Sequence, residues 1–511
     1  MSNTLRIPKA HLTMALCLPL AVIVGYFLVD PLEPSSVAFV GFVLAVLTIP
    51  LMIKWHHPLL IICWNATLAP SFLPGQPPLW ILLAGIGLGF GILNRSVDSN
   101  RRFVHAPSIR NSLFFLGLVV AVTAYFNGGL GFGFLGSSQF GGRRYFNIYA
   151  AIIGYFALTS QPVPIHRANL FTGLFFLSML LTFVPNLAFF VGDSLNFVYY
   201  VFPSEYSNEQ FNAAASGSDS GRMLGLTAIS NGLFCFLLAR YGIRGVFDPG
   251  NWWRLAVFCL AIVACLLAGF RTFLILFAIL LVIQFYLEKL YLTRLLWIFA
   301  AVMLVGGGLV ISQSQKLPFY VQRTLSFLPI KVNSDVKFSA ESSLDWRLRM
   351  WKVLLPEVPK YLLKGKGFGI DPTAMYFSTD ANRQQEGGIE WAIVAGDYHS
   401  GPLSLIIPLG IGGVLAFGWF LVASVLHLYR QHRSGPPALQ RINTFLLSYF
   451  LARIILFLFF FGGFHSDLFI FTGIIGLSVS LNGATQEKAV EPSTQALEGE
   501  IEPCDYRDDY A

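Results

Sequence analysis

Residues 253–289 read WRLAVFCLAIVACLLAGFRTFLILFAILLVIQFYLEK, two apolar runs, 253–270 and 272–289, that meet at Arg271. Runs of this length are what a helix needs to cross roughly 30 Å of hydrocarbon. The same pattern recurs along the whole 511-residue chain, which is 55% hydrophobic and 12% charged, has a mean hydropathy of +0.64 and contains 48 Phe. Ordinary globular chains carry about 25% charged residues, and a water-soluble surface cannot be built from half of that. Soluble multidomain, fibrous, disordered and nucleic-acid-binding classes are therefore excluded. The pI near 9.0 reflects membrane topology, with basic residues gathered in loops on one side.

Breaking the apolar runs at Pro, Gly and charge gives about fourteen segments, near 12–30, 36–53, 58–72, 79–93, 112–127, 147–160, 169–191, 222–242, 253–270, 272–289, 294–312, 402–427, 442–461 and 465–482. The third, fourth and sixth are short enough to be tilted, re-entrant or merged. The expected fold is an all-α polytopic integral membrane protein of about 14 (12–14) transmembrane helices with one large outer, periplasmic loop containing short helices. Residues 1–312 hold eleven spans, 313–401 the loop, 402–482 three more spans, and 483–511 a tail. The tail, from Asn482 on, has eight acids and two bases and is expected to be disordered. Met1–His11 is short and basic, and Leu12–Val29 has no cleavage signal behind it, which reads as an uncleaved first span.

Five of the six cysteines lie within apolar segments, the sixth is Cys504 in the tail, and no cluster of His or Cys has ligand spacing. Neither a disulfide framework nor a metal site is expected. Arg95, Arg101, Arg102 and Arg110 share one connection, Arg240, Arg244 and Arg254 another, Lys289 and Arg294 a third, and Arg430, Arg433 and Arg441 a fourth, all on one side. The positive-inside rule makes that side cytoplasmic, with both termini there if the count is even. Arg143 and Arg144, in the Gly-rich loop Asn127–Asn147, then face outward with no topological need for them.

The 313–401 loop has segregated charge: residues 313–366 contain ten Lys or Arg and four acids, whereas 367–401 contain one Arg and five acids. A basic half beside an acidic half suits an anionic headgroup next to a proton-transfer site. Leu344–Trp351 reads as an amphipathic helix running towards Pro356, with Trp346, Met350 and Leu354 in an apolar stripe and Arg347 and Arg349 on different faces. One arginine can meet a phosphate while the other pairs with Asp345 or Glu341; the alternative is an interfacial helix with solvated arginines. Gly365-Lys366-Gly367-Phe368-Gly369 reads as a tight turn whose backbone N–H groups, with Lys366, can bind phosphate oxygens, or which simply ends a helix. His399 stands at the N-terminal end of the next span, where the helix disfavours imidazolium and Asp397 can orient the ring. A capping histidine is the other reading.

Arg222 opens the eighth span after the polar stretch Ser216–Gly221. Arg271 occupies a nearly vanishing turn. Arginine at membrane depth is costly without an anion, and neither has an adjacent acid, so each either meets a lipid phosphate or snorkels to the surface. Arg453 lies deeper, with no acid nearby in sequence, and its role stays open between structural and functional.

The order of these elements resembles the bacterial O-antigen ligase and O-antigen polymerase superfamily over roughly residues 220–430. It is carried by Arg222–Asn231 opening one span, the Phe270-Arg271-Thr272 turn, Arg347–Trp351, Gly365–Gly369, His399-Ser400, and the Gly-rich helix from Leu409 to Gly413. The resemblance implies a GT-C-like, metal-independent, inverting glycosyltransferase without cofactor that takes a glycan from an undecaprenyl diphosphate carrier to a hydroxyl on a lipid, glycan or protein acceptor, at the outer face of the inner membrane. It implies Arg222, Arg271 and one of Arg347 or Arg349 on the diphosphate, and His399 at the acceptor. Ser400 stands where Asn often follows the histidine. The rival class is a transporter or flippase of lipid-linked or free saccharides, which would show repeats and ionisable groups near the bilayer midplane; no repeat is visible here.

Overall fold

A computed structural model describes residues 34–70, 73, 75–97, 103–104, 106–127, 142–208, 210–211, 222–328, 330–371, 373–374, 376–378 and 388–498, with scattered positions between 14 and 26. Much of the first expected span, most of the Gly-rich loop after Asn127, the polar stretch Ser216–Gly221 and residues 499–511 lie outside the described residues. Among the described residues there is helix and no strand. The chain divides into two units, 1–56 and 57–511, and the candidate site lies wholly within the second.

In chain order the helices are α1 (Pro34–Cys63), α2 (Leu79–Val97), α3 (Pro107–Asn127), α4 (Gly142–Leu158), α5 (Ile165–Val191, α-helical and 3-10 turns in series), α6 (Leu224–Val246), α7 (Trp252–Leu267), α8 (Arg271–Leu287) and α9 (Leu295–Ser312). The loop contributes α10 (Phe319–Leu325), α11 (Ser334–Leu354), α12 (Val358–Tyr361) and α13 (Ile389–Ala395); α14 (Gly401–Ser434), α15 (Gln440–Phe459) and α16 (Phe464–Glu498) close the chain. Ten described helices are long and apolar enough to cross a membrane, with the 17-residue α8 beside them. Each expected segment from 79–93 onward overlaps a helix.

Two expectations change. Segment 36–53 and the beginning of segment 58–72, as far as Cys63, are one helix, α1, although Lys54, His56 and His57 interrupt its apolar run; residues 64–70 are not helical. The histidines do not end the helix because their ring nitrogens find backbone carbonyls: His56 Nδ1 lies 3.0 Å from Met52 O and His57 Nε2 2.7 Å from Leu158 O. The merger takes one crossing from the count on which the common placement of both termini rested. At the other end, α16 runs on to Glu498, into the acidic segment read as disordered.

Small residues set the close approaches. The Trp64 ring is wedged between Gly154 of α4 and Gly473 of α16, where an added Cβ would come within 2.5 Å and 2.1 Å of it respectively. Such gaps let helices pack by contact where no hydrophobic effect drives them together. Arg453 proves structural: it pairs with Asp467 at 2.6 Å, with side chains only 9% and 14% exposed, and Asp467 also accepts the Gly463 N–H at 2.9 Å. The partner comes from the next helix, fourteen residues on, so this arginine joins α15 to α16.

Candidate active site

The α7–α8 turn is the foundation. Gly269 takes φ +80°, a left-handed conformation natural only to glycine, and lets the chain reverse so that α8 starts on Arg271. Met223 N–H reaches Ala268 O at 3.4 Å, which holds the entrance of α6, and with it Arg222, against this turn. The Arg222 guanidinium lies over the Phe270 ring, 5.3 Å from its centroid. The first loop helix, α10, seats on the same turn: Thr324 Oγ1 donates to Leu266 O at 3.1 Å, and Arg271 Nη1 donates to Ser326 Oγ at 3.4 Å.

Helix α11 brings the third arginine. It begins ten residues earlier than the amphipathic pattern indicated, but the stripe matches. Met350 and Leu354 are buried against Ile389 and Ala392 of α13, Tyr398, and Leu403 and Ile407 of α14, with Trp346 at the edge. That packing fixes the helix's rotation, and Arg347, not Arg349, faces inward. Arg347 is half-buried, stands over the Phe461 ring at 5.8 Å, and its charge acts on Arg271 and His399. Arg349 is exposed and donates Nε to Asp345 O of its own helix at 3.4 Å. Burial, and then the charge of Arg222, pulls the Arg347 guanidinium below its ordinary pKa. Arg222, Arg271 and Arg347 thus converge from three separated segments, with Arg222 and Arg347 acting on Arg271, and Arg222 on Arg347, as like charges, a concentration of positive charge suited to an anion.

His399 closes the site. Its backbone is left-handed, φ +47°, an uncommon state for a non-glycine residue. The surroundings enforce it: Trp351 Nε1 donates to Tyr398 O at 2.9 Å, Tyr398 is 3% exposed, and Gly401 lies so close to Phe457 that a Cβ would stand 2.2 Å from Phe457 O. The imidazole sits between the rings of Trp346 and Phe461, with both centroids 5.4 Å away. Those rings orient it. Asp397 Oδ2 is 3.8 Å from Nε2, an ion-pair separation too long for a hydrogen bond, so Asp397 supplies charge rather than aim. Burial pushes the His399 pKa down, Asp397 opposes, and Arg347 adds to the depression. Nδ1 is buried without a hydrogen-bond partner, which leaves Nε2 as the nitrogen open to a reactant.

Phe461 was not legible as a site residue, because nothing in an apolar run marks one Phe for both an arginine and a histidine. Arg144 now has a place as well. Its Nη1 makes a long 3.4 Å contact with Gly396 O, and Asp397 and His465 lie within reach of its charge.

The glycine turn is structural. Helix α14 breaks at Gly410 (φ +64°), two residues after Pro408. The turn docks on that break: Lys366 N–H donates to Ile407 O at 2.8 Å, Gly367 N–H to Pro408 O at 2.9 Å, and Ile411 N–H to Leu362 O at 2.7 Å. Phe368 N–H donates to the Tyr145 hydroxyl at 2.9 Å. Of the N–H groups expected to hold phosphate, those of Lys366 and Gly367 are taken by carbonyls that a broken membrane helix must satisfy, and that of Phe368 by the Tyr145 hydroxyl. The Lys366 ammonium is pushed down by burial and by Lys360, with Glu357 opposing, and its charged neighbours are these two, not the arginine cluster. Gly365 carries the close approach, since with φ +70° an added Cβ would stand 2.2 Å from Pro408 O. Gly365→Ala is therefore expected to cost at least about 2 kcal/mol. The check is a lower thermal midpoint and a smaller monodisperse fraction in detergent; a wild-type melting profile would contradict the docking.

Fold and site together define a polytopic membrane protein with three converging arginines and a buried-edge histidine on the face that carries its long loop. Residues 256–418 match the family model of O-antigen ligase, an interval that holds Arg271, Arg347, Asp397 and His399 but neither Arg222 nor Arg144. This match supports a place in the O-antigen ligase and polymerase superfamily and, in general terms, O-antigen-ligase-like glycan transfer, a glycosyltransferase-like activity between a lipid-linked glycan and an acceptor. No curated protein and no solved structure matches the chain.

Proposed function

We propose that this protein transfers a glycan from an undecaprenyl diphosphate carrier to an acceptor hydroxyl at the outer face of the bacterial inner membrane, by one direct displacement and without a divalent metal. The observation that carries this reading is the convergence of Arg222, Arg271 and Arg347 beside His399. Guanidinium forks suit the oxygens of a diphosphate, and a half-buried setting strengthens each contact. In the step, the acceptor O–H gives its proton to His399 Nε2 while its oxygen forms a bond to the anomeric carbon. The bond from that carbon to the carrier phosphate breaks on the opposite side, and the electron pair leaves on the diphosphate, whose new charge the arginines stabilise. Backside displacement inverts the anomeric configuration. Asp397 stabilises the imidazolium that forms.

The test uses purified full-length protein with lipid-linked donor and acceptor in detergent. Turnover is expected to be equal with and without EDTA, and NMR of the new linkage is expected to show the inverted anomer. A strict Mg²⁺ or Mn²⁺ requirement would sink the arginine-only mechanism. Movement of donor across a vesicle membrane with no new glycosidic bond would replace the transferase reading with transport.

A further inference from the structure

A second basic cavity lies far from the arginine–histidine site. Its walls include Arg95 from the last turn of α2, Phe103, Arg110 from the first turn of α3, and Tyr155, Phe156 and Thr159 from the end of α4, around about 520 Å³. That volume falls in the range of roughly 300–1,000 Å³ usual for small-molecule sites. Arg144, which faces the candidate active site, is at the opposite end of α4, and fifteen residues of helix separate it from Thr159, about 22 Å. The cavity is on the side that the arginine count assigns to the cytoplasm.

Three features point to what it holds. Among the described residues no carboxylate lines it, while two guanidinium groups do. Arg110 stands at the positive end of the α3 dipole, with no acid in that first turn, where a cation is disfavoured unless an anion accompanies it. Its Nε is directed to Asn111 Oδ1 at 3.1 Å, and the Arg95 guanidinium is 6.0 Å from the Phe103 ring. The apolar continuation is the third feature. Phe156 in the cavity wall packs on Phe114 at 5.1 Å, and Phe114, Leu118 and Val122 are 59%, 59% and 46% exposed. They follow Arg110 at spacing four, so a stripe of open apolar surface leads along α3 from the cationic mouth. A soluble phosphate would not need that stripe, whereas a lipid would use both parts.

We infer that Arg95 and Arg110 bind the phosphate of an anionic membrane phospholipid whose acyl chain lies along Phe114, Leu118 and Val122. The test is native mass spectrometry of the full-length protein in detergent with phosphatidylglycerol and phosphatidylcholine of identical chains. Phosphatidylglycerol adducts are expected to be retained about tenfold better, and the Arg95→Gln/Arg110→Gln protein to lose that preference while keeping its glycan transfer. Arg271→Ala, altered at the other end of the bundle, should keep the preference. Should the double variant not fold, Arg110→Gln alone is read in the same way. Equal retention of the two lipids by the wild type, or an undiminished preference in the arginine variants, overturns the site. Displacement of phosphatidylglycerol by millimolar inorganic phosphate would make the ligand a soluble anion and overturn the lipid assignment.

Discussion

Arg271→Ala is expected to insert and fold like the wild type and to lose glycan transfer by about 10²- to 10³-fold. The side chain opens α8 and donates the 3.4 Å hydrogen bond to Ser326 Oγ. Its charged neighbours, Arg222 and Arg347, repel it. Deleting it opens no core cavity and relieves like-charge repulsion, so the thermal midpoint of the empty protein is expected to stay level or rise. The stabilisation that undecaprenyl diphosphate confers on the wild type should shrink. Arg271→Lys should recover little, because a compact ammonium keeps the charge but not the planar fork. The measurement pairs single-turnover transfer with melting curves taken with and without the carrier. A fully active lysine variant would show that bidentate diphosphate binding does not occur at this position.

His399→Ala is expected to slow the chemical step by about 10²- to 10⁴-fold while leaving donor affinity nearly unchanged, since the arginines hold the diphosphate. The pH profile carries the sign. Burial and Arg347 favour the neutral ring and Asp397 opposes them, leaving the pKa below the ordinary value of about 6.5. The neutral base is present above that depressed pKa and is lost as pH falls through it, so transfer should fall on the acid side with a midpoint below 6.5. Asp397→Asn removes the group that raises the pKa and should move the midpoint lower still. Weakened donor binding with an unchanged single-turnover rate would make His399 a ligand contact, and full activity would leave it a helix cap.

Much of this protein could be read from residue order. Apolar runs marked the membrane-crossing helices but not the loop helices α10–α13, because a membrane helix meets its backbone hydrogen bonds within itself and advertises its place by composition alone. Arg271 between two apolar runs and the stripe of Trp346, Met350 and Leu354 were visible for the same reason, since both are features of local spacing. The α1 merger was hidden because hydropathy counts His56 and His57 as breaks, whereas the fold gives them carbonyls to bond.

Contacts between residues distant in the chain were settled by packing. Arg347 and Arg349 are two apart, on different helix faces, and only the seating of α11 on α13 and Tyr398 turns the first inward. Arg453 had no acid beside it in the chain, and the reversal between α15 and α16 supplies Asp467. The glycine turn looked ready for phosphate until the break in α14 claimed its N–H groups. Residue order alone establishes a membrane bundle, its long loop and which charged residues are out of place. Which of those charges meet is left to the fold, because a guanidinium's partner is set by where helices cross, and no spacing along the chain records a crossing.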